Sequence, residues 1–210
     1  MDEVAEAVEG YTATTIPVHV EIDAKQAVLN LKEAERLLDE AKRIALGPCA
    51  CRTEKGNCDA PIDTCLALDE NCDEALETWD GFRLATREEA LATLRAAHEE
   101  GLVHLAFRKP GKGVSSFCSC CSCCCWFLGA LSRFDYHDAI VESSHVARQD
   151  RDLCIGCGTC ADRCQFGAWR HSGDDWPELE QGKCFGCGLC VSTCPAAAIS
   201  LVSRRATGVS

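Results

Sequence analysis

Apolar positions recur at helical intervals through AKQAVLNLKEAERLLDEAKRIAL, residues 24–46, at Val28, Leu31, Leu38 and Ala45. This periodicity predicts one long helix with Asp23 as its N-cap. Ahead of it, the β-branched TTIPVHVE, residues 14–21, reads as a short strand, which Pro17 confines to a sheet edge. Gly47-Pro48 ends the helix, and residues 47–65, broken by Gly56, Asn57 and Pro61, read as loop. A second helix is marked by Thr86 and Glu89 as a capping box, by the periodicity of EALATLRAAHEE and by Gly101 at its end. LVHLAF, 102–107, and VSSF, 114–117, read as strands joined by the turn RKPGKG. The polar stretch 132–150 separates two regions of different composition and is the expected domain boundary. The expected fold is α+β: a mixed helix and hairpin cysteine-rich domain at 1–140, then a smaller domain at 141–210.

Composition changes this picture in one respect. The 210 residues include 19 cysteines, with 33 acidic and 21 basic residues and a net charge of −12. The acidic N-terminus MDEVAEAVEG has no apolar h-region, and no stretch reaches the length of a membrane span. A soluble cytoplasmic protein is therefore expected. Cysteines in a reducing compartment serve as ligands or redox groups rather than as a disulfide framework. An acidic surface disfavours nucleic acid and favours a basic protein partner. Helix, strand, turn and strand also occur in winged-helix DNA binders, but Arg108, Lys109 and Lys112 are too few for that reading.

Two quartets carry the chemistry. Cys154, Cys157, Cys160 and Cys164 follow the spacing C-x2-C-x2-C-x3-C, and Cys184, Cys187, Cys190 and Cys194 repeat it before Pro195. The copies lie 30 residues apart and share Gly156/Gly186, Gly158/Gly188 and Ala168/Ala198, so the segment is an internal duplication. Cysteines at every third residue can wrap three corners of an iron–sulfur cubane, and glycines allow the positive φ that the wrap needs. The fourth cysteine is expected to begin a short helix leading to the other cluster, because this spacing ligates crosswise. Structural zinc usually takes two separated C-x2-C pairs instead. Trp169 and Trp176, between the quartets, are expected to cover the clusters.

Residues 146–202 thereby resemble the bacterial-type 2[4Fe–4S] ferredoxin family. The resemblance implies a ferredoxin-like dicluster domain with two [4Fe–4S] clusters. Cys154, Cys157, Cys160 and Cys194 would hold the first, and Cys184, Cys187, Cys190 and Cys164 the second. It implies transfer of single electrons to or from a redox protein, such as an oxidoreductase. Gln165 stands where the family usually has proline, which puts local rigidity or potential in question.

The upstream cysteines fit no common motif. Cys49, Cys51, Cys58 and Cys65 are spaced C-x-C-x6-C-x6-C, and Cys118, Cys120, Cys121, Cys123, Cys124 and Cys125 crowd eight positions. Neighbours in such a run do not readily form disulfides, since adjacent Cα atoms sit about 3.8 Å apart and disulfides need roughly 4.4–6.8 Å. If the run opens a helix, Cys121, Cys124 and Cys125 share one face. The two groups are expected to meet and enclose one or two further iron–sulfur clusters or a zinc ion. The candidate ligands are Cys49, Cys51, Cys58, Cys65, Cys118, Cys120, Cys121 and Cys124, with Arg52 offsetting their charge. Cys72 reads as an unliganded thiol on a helix.

PCACR, CDAPIDTC, EEGLVH and FCSCCSCCC together are similar to a group of ferredoxin-family proteins from anaerobic metabolism, which again implies electron transfer. The histidines, His19, His98, His104, His137, His145 and His171, form no pair at metal-ligand spacing and read as surface or packing residues. There is no Walker A loop, dinucleotide fingerprint or nucleophile elbow. A carrier or oxidoreductase subunit is expected over a stand-alone enzyme. An iron–sulfur enzyme with a catalytic cluster in the N-terminal region, or a thiol-based redox sensor, are the alternatives.

Overall fold

A computed structural model describes residues 26–108, 114–134, 140–171 and 176–207. The expected strand at 14–21, the cap at Asp23, the body of the 108–113 turn, His19 and His137 lie outside the described residues.

The long helix expected over 24–46 is three elements. Strand β1 spans Gln26–Leu29, helix α1 Leu31–Glu40 and strand β2 Ile44–Pro48. Asn30 starts α1: its side chain accepts from the Glu33 amide, and the Glu33 carboxylate accepts from the Asn30 amide. That capping box stops the helix from reaching back to Val28. Val28 and Ala45 lie in strands, where their burial follows the pleat and not the helical period. The expected loop at 47–65 contains helix α2, Ala50–Lys55, closed by Gly56 at φ +56°, and the start of strand β3, Asp63–Leu68.

Helix α3 spans Asn71–Thr78 and carries Cys72, whose buried Sγ donates to the Ala67 carbonyl. After the short strand β4, Arg83–Leu84, helix α4 runs Arg87–Glu99 behind its Thr86 cap, as the pattern predicts. Strands β5, Val103–Arg108, and β6, Val114–Cys120, form the expected hairpin. The cysteine run does not open a helix. Its first part ends β6, its middle is a turn, and helix α5 begins at Trp126 and runs to Phe134.

These strands form one antiparallel sheet in the order β1-β5-β6-β3-β2-β4. One face packs Leu46, Leu66, Ala106 and Phe117 against Leu38 of α1 and Leu94 of α4. The other packs Val28, Val103 and Leu105 against Leu128 and Leu131 of α5, and against Phe185 and Leu189 from the C-terminal half. A single apolar cluster thus spans both halves of the chain.

In the C-terminal half, strand β7, His145–Gln149, pairs with strand β10, Ile199–Ser203. Between them lie helix α6, Thr159–Arg163, the small ladder of β8, Trp169–Arg170, with β9, Glu178–Leu179, and helix α7, Leu189–Thr193. A final short helix, α8, spans Arg204–Thr207. Helices α6 and α7 contain the third cysteine of each quartet and end at the fourth, Cys164 and Cys194, which are their C-caps. The fourth cysteine therefore ends a helix, where the sequence reading had it begin one. None of the described helices is long and apolar enough to cross a membrane.

Two of the histidines read as surface or packing residues pack against each other in the interior. The turn at Gly101 folds α4 back on β5, which stacks the rings of His98 and His104 with centroids 5.4 Å apart. Both are buried, and His98 Nδ1 lies 3.3 Å from His104 Nε2. Burial, with the His98 charge second, pulls the His104 pKa from 6.5 down to about 3. Between those values the unfolded chain binds more protons than the folded one, so stability falls as pH drops below 6.5 toward 3. His104→Gln should remove much of this slope. Urea midpoints measured without oxygen between about pH 5 and 8 check it.

Candidate metal centres

The duplicated loops carry out what their glycines predict. Gly156, Gly158, Gly186 and Gly188 all have positive φ. At Gly186 the constraint is double, because a Cβ there would sit 2.1 Å from the His145 carbonyl oxygen. Two small cavities result. Cys154, Cys157, Cys160 and Cys194 line one, together with Gln149, Ile155, Thr159 and Pro177. Cys164, Cys184, Cys187 and Cys190 line the other, with Phe166, Trp169, Phe185 and Leu189. Each cavity draws three cysteines from one quartet and the last from the other.

Polar hydrogens point at the sulfurs. The Ala168 and Ala198 amides donate to Cys164 and Cys194 at 3.3 Å each, so the duplication extends to the hydrogen bonds. The Ala147 amide and the Gln149 side chain donate to Cys184 and Cys154 at 3.4 Å. Trp169 is buried and its indole bonds Cys190, whereas Trp176 is half exposed beside Gly156. Only the first therefore meets the expectation of a cover.

Burial pushes the Cys187 thiol strongly up, Cys190 up to about 12 and Cys160 up to about 11. Exposed Cys157 is instead held down by its hydrogen bond from Thr159. Sulfur-lined, N–H-rich and apolar, both cavities fit iron–sulfur clusters, whose positive iron offsets the like charges that burial otherwise forbids.

The upstream groups come together, and strand register explains how. Cys65 on β3 is the cross-strand partner of Cys118 on β6, and their sulfurs lie 3.3 Å apart. Cys118 and Cys120, two residues apart, share a face and touch. Cys120 touches Cys125, Cys125 touches Cys51, and Cys51 touches Cys49 at the start of α2. The six form a connected nest. Hydrogen bonds from Cys125 and Cys49 hold the Cys51 thiol down to about 2, and bonds from Cys120 and Cys65 hold Cys118 well below the usual range. Cys49, Cys65 and Cys120 are pushed up as the corresponding donors.

Cys58, Cys121, Cys123 and Cys124 make a second, tighter group, with all four sulfurs within 4.8 Å of one another. Arg52 stands between the groups, 1 % exposed. Its Nη2 donates to the Ser119 carbonyl at 3.0 Å and lies 3.7 Å from Cys121 Sγ. Its Nη1 donates to Thr64 and to the Pro61 carbonyl. The sequence reading had Arg52 beside Cys51, and the structure turns it toward Cys121.

All eight upstream candidates fall in one of these groups, but not in the same one. Cys123 and Cys125, not among those eight, join the tight group and the nest respectively. Gln165 is a further surprise. Its Oε1 accepts from the Ser122 amide at 3.1 Å and from its hydroxyl at 2.7 Å, while its Nε2 donates to the Gly101 carbonyl at 3.1 Å. The residue that departs from the ferredoxin pattern thus ties the C-terminal half to the cysteine turn. Nearby, Arg163 donates to the His98 and Glu99 carbonyls at the end of α4.

Residues 147–201 match the family model described as a 4Fe-4S dicluster domain. Comparison of the whole chain with curated protein sequences finds no match. The chain therefore carries a 4Fe–4S dicluster domain in its C-terminal half.

Gln165→Pro, which restores the usual ferredoxin residue, leaves the half-buried Ser122 amide and hydroxyl without their acceptor. It should cost about 1–3 kcal/mol. Chemical denaturation under nitrogen measures the loss, and the iron content should not change.

Proposed function

We propose that this chain is an iron–sulfur electron-transfer protein that passes single electrons through two [4Fe–4S] clusters to or from a redox protein partner. The carrying observation is the pair of cavities, each lined by four cysteines in the crossed pattern. Cys154, Cys157, Cys160 and Cys194 would hold the outer cluster, and Cys164, Cys184, Cys187 and Cys190 the inner one. When bound, each cluster accepts and releases one electron, at a potential set by its hydrogen bonds and solvent exposure.

The residues around the two sites differ in a way that suits a relay. Cys157 is exposed, and Leu153 and Ile155 beside it are more than half exposed. Trp176 lies close to the same loop. This apolar rim is where a partner would approach. The inner cavity is shielded by Phe166 and Phe185, stacked with centroids 4.5 Å apart, and by buried Trp169. Cys187 joins the same apolar cluster as Cys118, Cys120 and Cys125 of the nest. Surface loop, inner cavity and nest therefore lie in sequence, with packed side chains excluding water between the last two.

The nest favours a second reading. Its six cysteines, with residues 1–140 as their domain, would hold an additional iron–sulfur cluster, and the chain would then be an oxidoreductase subunit whose N-terminal centre exchanges electrons with the dicluster domain. Iron and sulfide analysis of oxygen-free protein separates the two: about eight iron atoms per chain for the dicluster domain alone, about twelve with a further cubane. Cys194→Ala should abolish the EPR signal of the cluster held by Cys154, Cys157 and Cys160. Loss of the signal from the Cys184 loop instead would refute the crossed ligation. A colourless protein with no iron would end the electron-transfer reading.

A further inference from the structure

The eleven cysteines upstream of residue 130 do not serve one site. Cys72 lies apart on α3 and bonds a carbonyl, and six others make the nest. The remaining four differ in arrangement: the nest is a chain of neighbour contacts, whereas here all four sulfurs lie within 4.8 Å of one another. Cys58 Sγ lies 3.7 Å from Cys121 Sγ and 3.8 Å from Cys124 Sγ, and Cys123 and Cys124 are 3.9 Å apart. Four sulfurs bonded at about 2.3 Å to one tetrahedral ion have S···S edges of about 3.8 Å. A cubane instead spreads its thiolates over four separate iron corners.

We infer that Cys58, Cys121, Cys123 and Cys124 bind a single zinc ion as a closed tetrathiolate site, distinct from the nest and from both C-terminal cavities. All four coordination positions are filled by protein, which is the mark of a structural and not a catalytic zinc. Tetrahedral sulfur sites belong to zinc or to iron–sulfur chemistry, and the short edges select the single ion.

The surroundings fit a site of net charge −2. The buried Arg52 guanidinium lies against Cys121, and Asn57 Nδ2 and Arg133 Nη2 donate to the Cys123 carbonyl at 2.9 and 2.8 Å. Hydrogen bonds of this kind around a site orient metal-binding side chains. The ion would fasten the loop after α2, which supplies Cys58, to the turn between β6 and α5, which supplies the other three. Both segments also feed the nest, through Cys49 and Cys51 before the loop and Cys120 and Cys125 around the turn. Zinc has one oxidation state, so it would hold that scaffold fixed while electrons move elsewhere.

The inference does not depend on the electron-transfer reading. Full-length protein, purified without oxygen, is analysed for zinc and iron by mass spectrometry and by X-ray absorption at the zinc edge. The expected result is about one zinc per chain bound by four sulfurs at about 2.3 Å. Cys123→Ser should lower zinc by about tenfold or more while the EPR signals of the C-terminal clusters persist. Cys49→Ser, in the nest, should leave zinc in place. Zinc that survives Cys123→Ser, or that sees fewer than four sulfurs in the unaltered protein, overturns the assignment. So does iron in the tight site, seen as a mononuclear Mössbauer signal. Failure of the electron-transfer reading would look different: zinc retained, with no cluster signal.

Discussion

Ionised sulfur is costly to bury, and that constraint shapes the whole molecule. Every thiolate brought out of water loses hydration, and every neighbour of the same charge raises the cost further. In the inner cavity Cys187 and Cys190 are both pushed upward, mainly by burial and then by the repulsion of the other sulfurs. In the nest, hydrogen bonds between neighbouring sulfurs pull Cys51 and Cys118 down and push Cys49, Cys65 and Cys120 up. Among the described residues, Arg52 is the one lysine or arginine that is buried, and it lies between the two upstream groups. A single guanidinium cannot offset so many thiolates. Metal cations can, which is why such a concentration of buried sulfur suits metal binding.

The two halves of the chain are joined through residues that flank cysteines. Gln165 follows Cys164 and accepts from Ser122, between Cys121 and Cys123. Ser119, between Cys118 and Cys120, bonds His104 at 3.0 Å. His104 meets His98, and His98 Nε2 bonds the Ser192 hydroxyl at 2.8 Å, on the helix between Cys190 and Cys194. A displacement of either cysteine framework would break these contacts. The relative placement of nest and cavities is thus held by hydrogen bonds at the sites themselves, in addition to the shared apolar cluster.

Legibility in the sequence followed the range of the interactions. The quartets were readable because ligand spacing within a tight loop is a local matter, and the glycines announce the positive φ. Helix α4 and its hairpin were readable because cap, period and turn agree. Residues 24–46 misled because Val28 and Ala45 match a helical period by coincidence. The Asn30–Glu33 capping box, visible in the sequence, was the contrary signal. The sorting of the upstream cysteines was not readable, since it depends on β3 pairing with β6 across 53 residues. Nor was the meeting of His98 and His104, which no ligand motif marks. It follows from the reversal at Gly101 and the cross-strand pairing of His104 with Ser119.

Backbone geometry explains how six cysteines in eight positions divide between two groups. On β6 the pleat sends Cys118 and Cys120 to one face, toward Cys65, while Ser119 points to the histidines. The strand then ends, and the turn at 121–124 reverses the direction of the side chains. Cys121, Cys123 and Cys124 face the loop that carries Cys58. The Cys125 amide bonds the Cys121 carbonyl at 3.0 Å, and Cys125 returns to the nest as α5 begins. A helix through the run would spread these sulfurs around its surface, and a longer strand would align alternate ones on a single face. A strand that breaks into a turn and then a helix divides them between the nest and the tight group, three to each. The separation of the nest from the tight group, side by side, is thus a product of where β6 stops.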